Sequence, residues 1–79
     1  MTAWLPDPAI AEGQGFLRGH EGVIVALAHL DSPGRWRAWA RGPSQRWRIL
    51  PDAATEEEAQ ALADAVLAEE WPDVEAPDA

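Results

Sequence analysis

Residues 22–50 read GVIVALAHLDSPGRWRAWARGPSQRWRIL, and the fold turns on this stretch. Gly22 to Leu30 is a short apolar run with β-branched side chains at Val23, Ile24 and Val25, bounded by turn residues, and it predicts a strand. Asp31, Ser32, Pro33 and Gly34 are the residues that a type I or type II turn takes. Residues 35–41 form a second strand, Gly42, Pro43 and Ser44 a second turn, and residues 46–50 a third strand closed by Pro51. The result is an antiparallel meander with strands at about 22–30, 35–41 and 46–50. Four-residue loops would set Leu30 opposite Arg35 and Arg41 opposite Arg46. Alternation then places Val23, Val25, Leu27, Trp36, Ala38, Ala40, Trp47 and Ile49 on one apolar face. The opposite face takes Ile24, Ala26, Ala28, Leu30, Arg35, Arg37, Trp39, Arg41, Arg46, Arg48 and Leu50.

Downstream, Thr55 followed by Glu56, Glu57 and Glu58 fits a capping box, with the Thr55 hydroxyl accepting from the Glu58 N–H and the Glu58 carboxylate reaching back. The helix it opens carries Ala59, Leu62, Ala63, Val66 and Leu67 in one apolar stripe and runs to about residue 71, where Pro72 stops it. That stripe should pack on the apolar face of the meander. The expected fold is therefore α+β: a three-stranded antiparallel sheet on one C-terminal helix, extended to four strands if the chain near Phe16–Arg18 joins it. Residues 1–79 make one domain. Residues 1–8 and 72–79, rich in proline and acid, are expected to lie loose or draped on the surface.

Composition limits what such a domain can do. Seventy-nine residues supply one modest core and no deep cleft. Sixteen residues are alanine and five are tryptophan, so bulk is concentrated in indoles. The absence of cysteine excludes disulfides, thiolate metal sites and a cysteine nucleophile. Ser32 and Ser44 are turn residues outside any nucleophile elbow. His20 and His29, beside Glu21 and Asp31, lack ligand spacing, and His29 is expected to cap the core edge near Trp36. Gly13 and Gly15 lack the flanking strand and helix of a phosphate loop. No catalytic residue, metal or cofactor is expected, and neither a membrane span nor a secretory leader is visible. The pattern points to a protein that works by binding.

Charge is segregated along the chain. Residues 1–34 carry net −3, residues 35–48 carry five arginines and no acid, and residues 49–79 carry ten acids and no base. The net charge is −8, with no lysine. Two candidate partner-binding surfaces follow. One is the Arg/Trp strand face of Arg35, Arg37, Trp39, Arg41, Arg46 and Arg48, where guanidinium forks grip carboxylate or phosphate and the indole anchors. It would engage a protein, nucleic acid, or a second copy in a homodimer. The other is the acidic helix, where Glu56, Glu57, Asp64, Glu69 and Glu70 would present negative charge to a basic groove.

The strand–strand–strand–helix order, with residues 34–38 (GRWRA) and 55–59 (TEEEA), resembles the small DNA-binding domains at the N-termini of phage tyrosine integrases, over about residues 22–71. That likeness implies an Arg/Trp sheet face in the major groove. In size, acidity and its lysine-free, Ala/Arg/Trp-rich composition, the chain also resembles phage and prophage anti-CRISPR proteins. That second resemblance implies a non-enzymatic inhibitor in the bacterial cytoplasm, binding a host protein–RNA complex of the Cascade type and blocking its basic DNA-binding channel. An acidic protein is a poor general ligand for nucleic acid, so direct DNA binding stands second.

Overall fold

The computed structural model describes residues 4–71. Five antiparallel strands follow one another across a single sheet: β1 (Leu5–Pro6), β2 (Gly15–His20), β3 (Val23–Ser32), β4 (Arg35–Arg41) and β5 (Trp47–Ile49). One helix, α1 (Glu56–Glu70), packs across β3 and β4. The α+β class and the meander are those expected from the sequence, and the segment near Phe16–Arg18 is β2. The N-terminal segment departs from expectation. Residues 4–8 are not a loose tail, because the Trp4 indole is buried and Leu5 and Pro6 pair with Leu17 and Phe16. Burial of the indole, its hydrogen bond to Asp64 and the β1–β2 ladder together offset the entropy of ordering this segment. Residues 1–3 and the expected C-terminal tail, 72–79, lie outside the described residues.

Both hairpins differ from the four-residue loops expected, and each difference turns a strand over. Between β3 and β4, Ser32 pairs with Arg35 across Pro33 and Gly34, and Asp31 is bulged out so that Leu30 faces Trp36. Pro33 at the second position and Gly34 at φ +75° fit a type II turn. A second irregularity, at Arg18/Gly19 against β3, leaves Val25 and Ala26 both buried. Val23 and Val25 therefore face the helix as expected, but downstream it is Ala26, Ala28 and Leu30 that do so, and Leu27 points away. Between β4 and β5, Arg41 pairs with Trp47 over a five-residue loop with Gln45 at φ +62°. Trp47 and Ile49 consequently lie on the face opposite α1, and Arg48 on the helix side. A one-residue slip exchanges the faces of a strand, which is why loop length mattered so much. Replacing Gly34 by alanine should lower stability by about 1 kcal/mol, read as a shifted urea midpoint, since a Cβ disfavours that positive φ. An unchanged midpoint would show that the turn relaxes into another type.

The helix meets the sheet through alanines. Ala26, Ala28, Ala38 and Ala40 from the sheet and Ala59 and Ala63 from α1 are fully buried, and the largest fully buried side chains are Leu67 and Val25. Phe16 and Trp36 flank this layer with ring centroids 6.2 Å apart. Thr55 caps α1, its hydroxyl accepting from the Glu58 N–H at 3.2 Å. The Glu58 carboxylate accepts from the Ala54 N–H at 3.4 Å, one residue before the expected donor. At the other end the Trp71 N–H closes on the Leu67 carbonyl, and its indole N–H donates to the Arg41 carbonyl at 2.9 Å.

Candidate interaction surface

One side of an antiparallel sheet that faces water normally presents polar side chains. Here the face away from α1 carries an apolar row as well as its arginines and His29. Leu5 pairs with Leu17, Leu17 with Leu27, Leu27 with Trp39 and Trp39 with Ile49, so five apolar side chains stand in register across the whole sheet. The row is most open at its ends, where Leu5 is 59% and Ile49 76% exposed. Trp47, 41% exposed, stands beside Ile49 on the same face. Between them lies an open depression of about 470 Å³ lined by Leu27, His29, Trp39, Trp47 and Ile49. A contiguous apolar row of this kind marks an interaction site more often than a scattered exposed leucine does.

Polar groups frame the depression. His29 does not cap the core beside Trp36. It sits on the outer face, edge-on to Trp39 at 5.5 Å, with Nε2 3.2 Å from the Asp7 carboxylate. The Arg41 guanidinium lies 4.7 Å from the Trp47 ring centroid, and its Nε donates to the Ile24 carbonyl at 2.7 Å.

The six predicted Arg/Trp residues divide. Arg35, Arg37, Trp39 and Arg41 share the outer face by strand alternation. Arg35 is already matched by Asp52 at 2.8 Å and Asp31 at 3.6 Å, and Arg37 lies 3.7 Å from Asp52. The Arg37 Nε is buried and makes no hydrogen bond. Arg48 leaves the face altogether and pairs with Glu70 at 3.3 Å on the helix side. Arg41 and Arg46 form no ion pair among the described residues, so unmatched cationic charge gathers at the β4–β5 loop end of the sheet.

The predicted acidic surface also breaks up. Asp64 is turned inward: its Oδ1 accepts from Arg18 Nη1 at 2.5 Å and from the Trp4 indole at 3.0 Å. Glu70 is held by Arg48, and Glu56 is half-buried in the first turn. Glu57 and Glu69 are the two predicted acids that stand exposed, about 18 Å apart along the helix and roughly a third of a turn apart around it. They add long-range negative potential but do not form a row.

Leu5, Leu17, Leu27, Trp47 and Ile49 were not among the predicted site residues. Leu27, Trp47 and Ile49 read as core until the register is known, Leu17 falls in the candidate fourth strand with no face assigned, and Leu5 falls in the expected tail, where Leu5–Pro6 is too short to announce a strand. No cluster of three or more His, Asp or Glu able to hold a metal occurs among the described residues. Nor is any helix among them long and apolar enough to cross a membrane. Compared with protein-family models, curated proteins and solved structures, the chain matches none.

Proposed function

We propose that this chain is a non-enzymatic binding protein, an inhibitor of the anti-CRISPR type that docks on a Cascade-type effector through its outer sheet face and hinders recruitment of target DNA. The observation that carries the reading is the row of Leu5, Leu17, Leu27, Trp39 and Ile49, which no element among the described residues covers. Covering an exposed side chain such as Leu5 or Ile49 contributes about 1.5–3 kcal/mol of gross burial energy, and the half-buried Leu17 and Leu27 contribute less. Association costs about 4–15 kcal/mol, so the row must engage as a unit, with Trp39 central. The acids play a different part. Glu57 and Glu69, on a chain of net charge −8, attract a basic channel from a distance and speed encounter, an effect that salt screens.

The test uses the full chain and a purified Cascade-type effector, with association and DNA loading measured together. Wild type should bind and suppress loading. Leu27→Glu should weaken binding at least about tenfold, because it places a charge in the covered row. The pair Glu57→Gln with Glu69→Gln should slow association by a factor of about 2–5 and flatten its salt dependence, leaving dissociation unchanged. No association by wild type would eliminate the effector as partner. Wild-type binding by the Leu27→Glu chain would eliminate the outer face.

A second reading rests on Arg41 stacked over Trp47, since a cationic group with an aromatic platform also suits single-stranded nucleic acid. DNA added alone at low salt, with no complex visible by gel shift, would remove it.

A further inference from the structure

The two edges of the sheet are built differently. β1 is two residues long and holds Pro6, which has no N–H, with Pro8 just beyond, so little remains for another strand to pair with. The terminal strand at the other edge, β5, is three residues long with no proline within it, Pro51 following only after Leu50. Leu50 N–H donates to the Ala38 carbonyl at 3.0 Å, and Arg48 pairs opposite Ala40. In an antiparallel ladder the alternate residues then point their backbone groups the other way. The N–H and C=O groups of Trp47 and Ile49 therefore face the open edge, while their side chains complete the apolar outer face.

Resting on the reading that the outer face is the docking surface, we propose that a partner engages it by strand addition at β5, with an extended segment of alternating apolar and acidic residues. Apolar side chains of that segment lie beside Ile49 and Trp47 and prolong the row by one more strand. The interleaved side chains point to the helix side, where Arg48 already meets Glu70 at 3.3 Å, and the exposed Arg46, which forms no ion pair among the described residues, stands just before the strand. An acidic residue suits the position beside Arg46, and one beside Arg48 competes with Glu70 for the guanidinium, because cross-strand opposite charges attract and like charges repel. The same arginines disfavour a second copy: a self-pairing that uses all three β5 residues sets Arg48 against Arg48. Backbone bonds supply affinity and the alternate side chains supply selectivity, as in other strand additions.

The probes are three eight-residue peptides titrated into the full chain: alternating valine and glutamate, the same composition in two blocks, and alternating valine and lysine. The alternating acidic peptide should bind best and slow hydrogen exchange at the Trp47 and Ile49 amides. Ile49→Pro removes an edge donor that β4 does not use, and should weaken that peptide about tenfold while the circular dichroism and urea midpoint stay near wild type. Should that variant prove unfolded, Arg46→Glu with Arg48→Glu decides the matter by reversing the preference toward the lysine peptide. Binding without protection of the Trp47 and Ile49 amides overturns strand addition while leaving docking by the outer face intact. Equal affinity for the glutamate and lysine peptides overturns the charge assignment, and absence of binding by all three overturns the inference. A wild-type dimer in light scattering that Ile49→Pro abolishes would make a second copy the occupant, contrary to the proposal. The inference and the wider docking role fail separately, since Leu27→Glu tests the face without touching the β5 backbone.

Discussion

Asp64→Ala is expected to lower the unfolding free energy by about 3 kcal/mol, the lower end of the range for breaking a buried ion pair. Arg18 is 6% exposed, and its guanidinium meets the Asp64 carboxylate between β2 and α1. The alanine removes that acceptor and the acceptor of the Trp4 indole in one change. An arginine cannot shed its proton to escape burial, so the loss falls on the folded state. The Asp64 side chain is 15% exposed, which lets some water reach the site and keeps the effect from the upper end. A domain of this length has about 4–12 kcal/mol of stability in all, so the variant should lose a large fraction of it. Urea unfolding measures the change, and a double variant, Arg18→Met with Asp64→Leu, should recover most of the loss because both charges of the pair are then replaced by apolar groups. A loss below about 1 kcal/mol in the single variant would show that the pair is not what ties β2 to the helix.

Leu67→Ala should cost about 4 kcal/mol, in the upper part of the range for a buried leucine. The reason lies in its neighbours. Four sheet alanines and two helix alanines line the interface, and such short side chains cannot swing in to fill a void. The half-buried Leu62 provides the comparison, because its alanine variant leaves a partly solvated notch and should cost about half as much. Thermal or urea unfolding of the two variants settles the order. If Leu62→Ala proved the more damaging, the alanine layer would not be the rigid element described.

Much of this architecture is legible in the chain itself. The Thr55 cap and the stripe from Ala59 to Leu67 declare α1 because both signals are local: they depend on residues three and four apart on one helix. The β4 faces are likewise legible, since alternation from Trp36 to Ala40 needs no partner strand. The faces of β3 and β5 are not. Asp31 bulges and the loop after Arg41 holds five residues, and each fact depends on which backbone closes the turn with least strain. Without them Leu27, Trp47 and Ile49 read as core and Arg48 as outer surface, the reverse of their positions. The acidic helix shows the same limit, because Asp64 reads as one more solvated acid until Arg18 is brought against it from 46 residues away.

By itself the sequence determined an α+β fold with an antiparallel meander, a capped C-terminal helix and segregated charge. Those properties follow from turn residues, short-range periodicity and composition, all written within a few neighbouring positions. Only the tertiary structure decided which charges are spent internally and which apolar side chains face away from the helix. Register and long-range pairing settle both, and a single extra residue in a turn carries every side chain of a strand from the core to water.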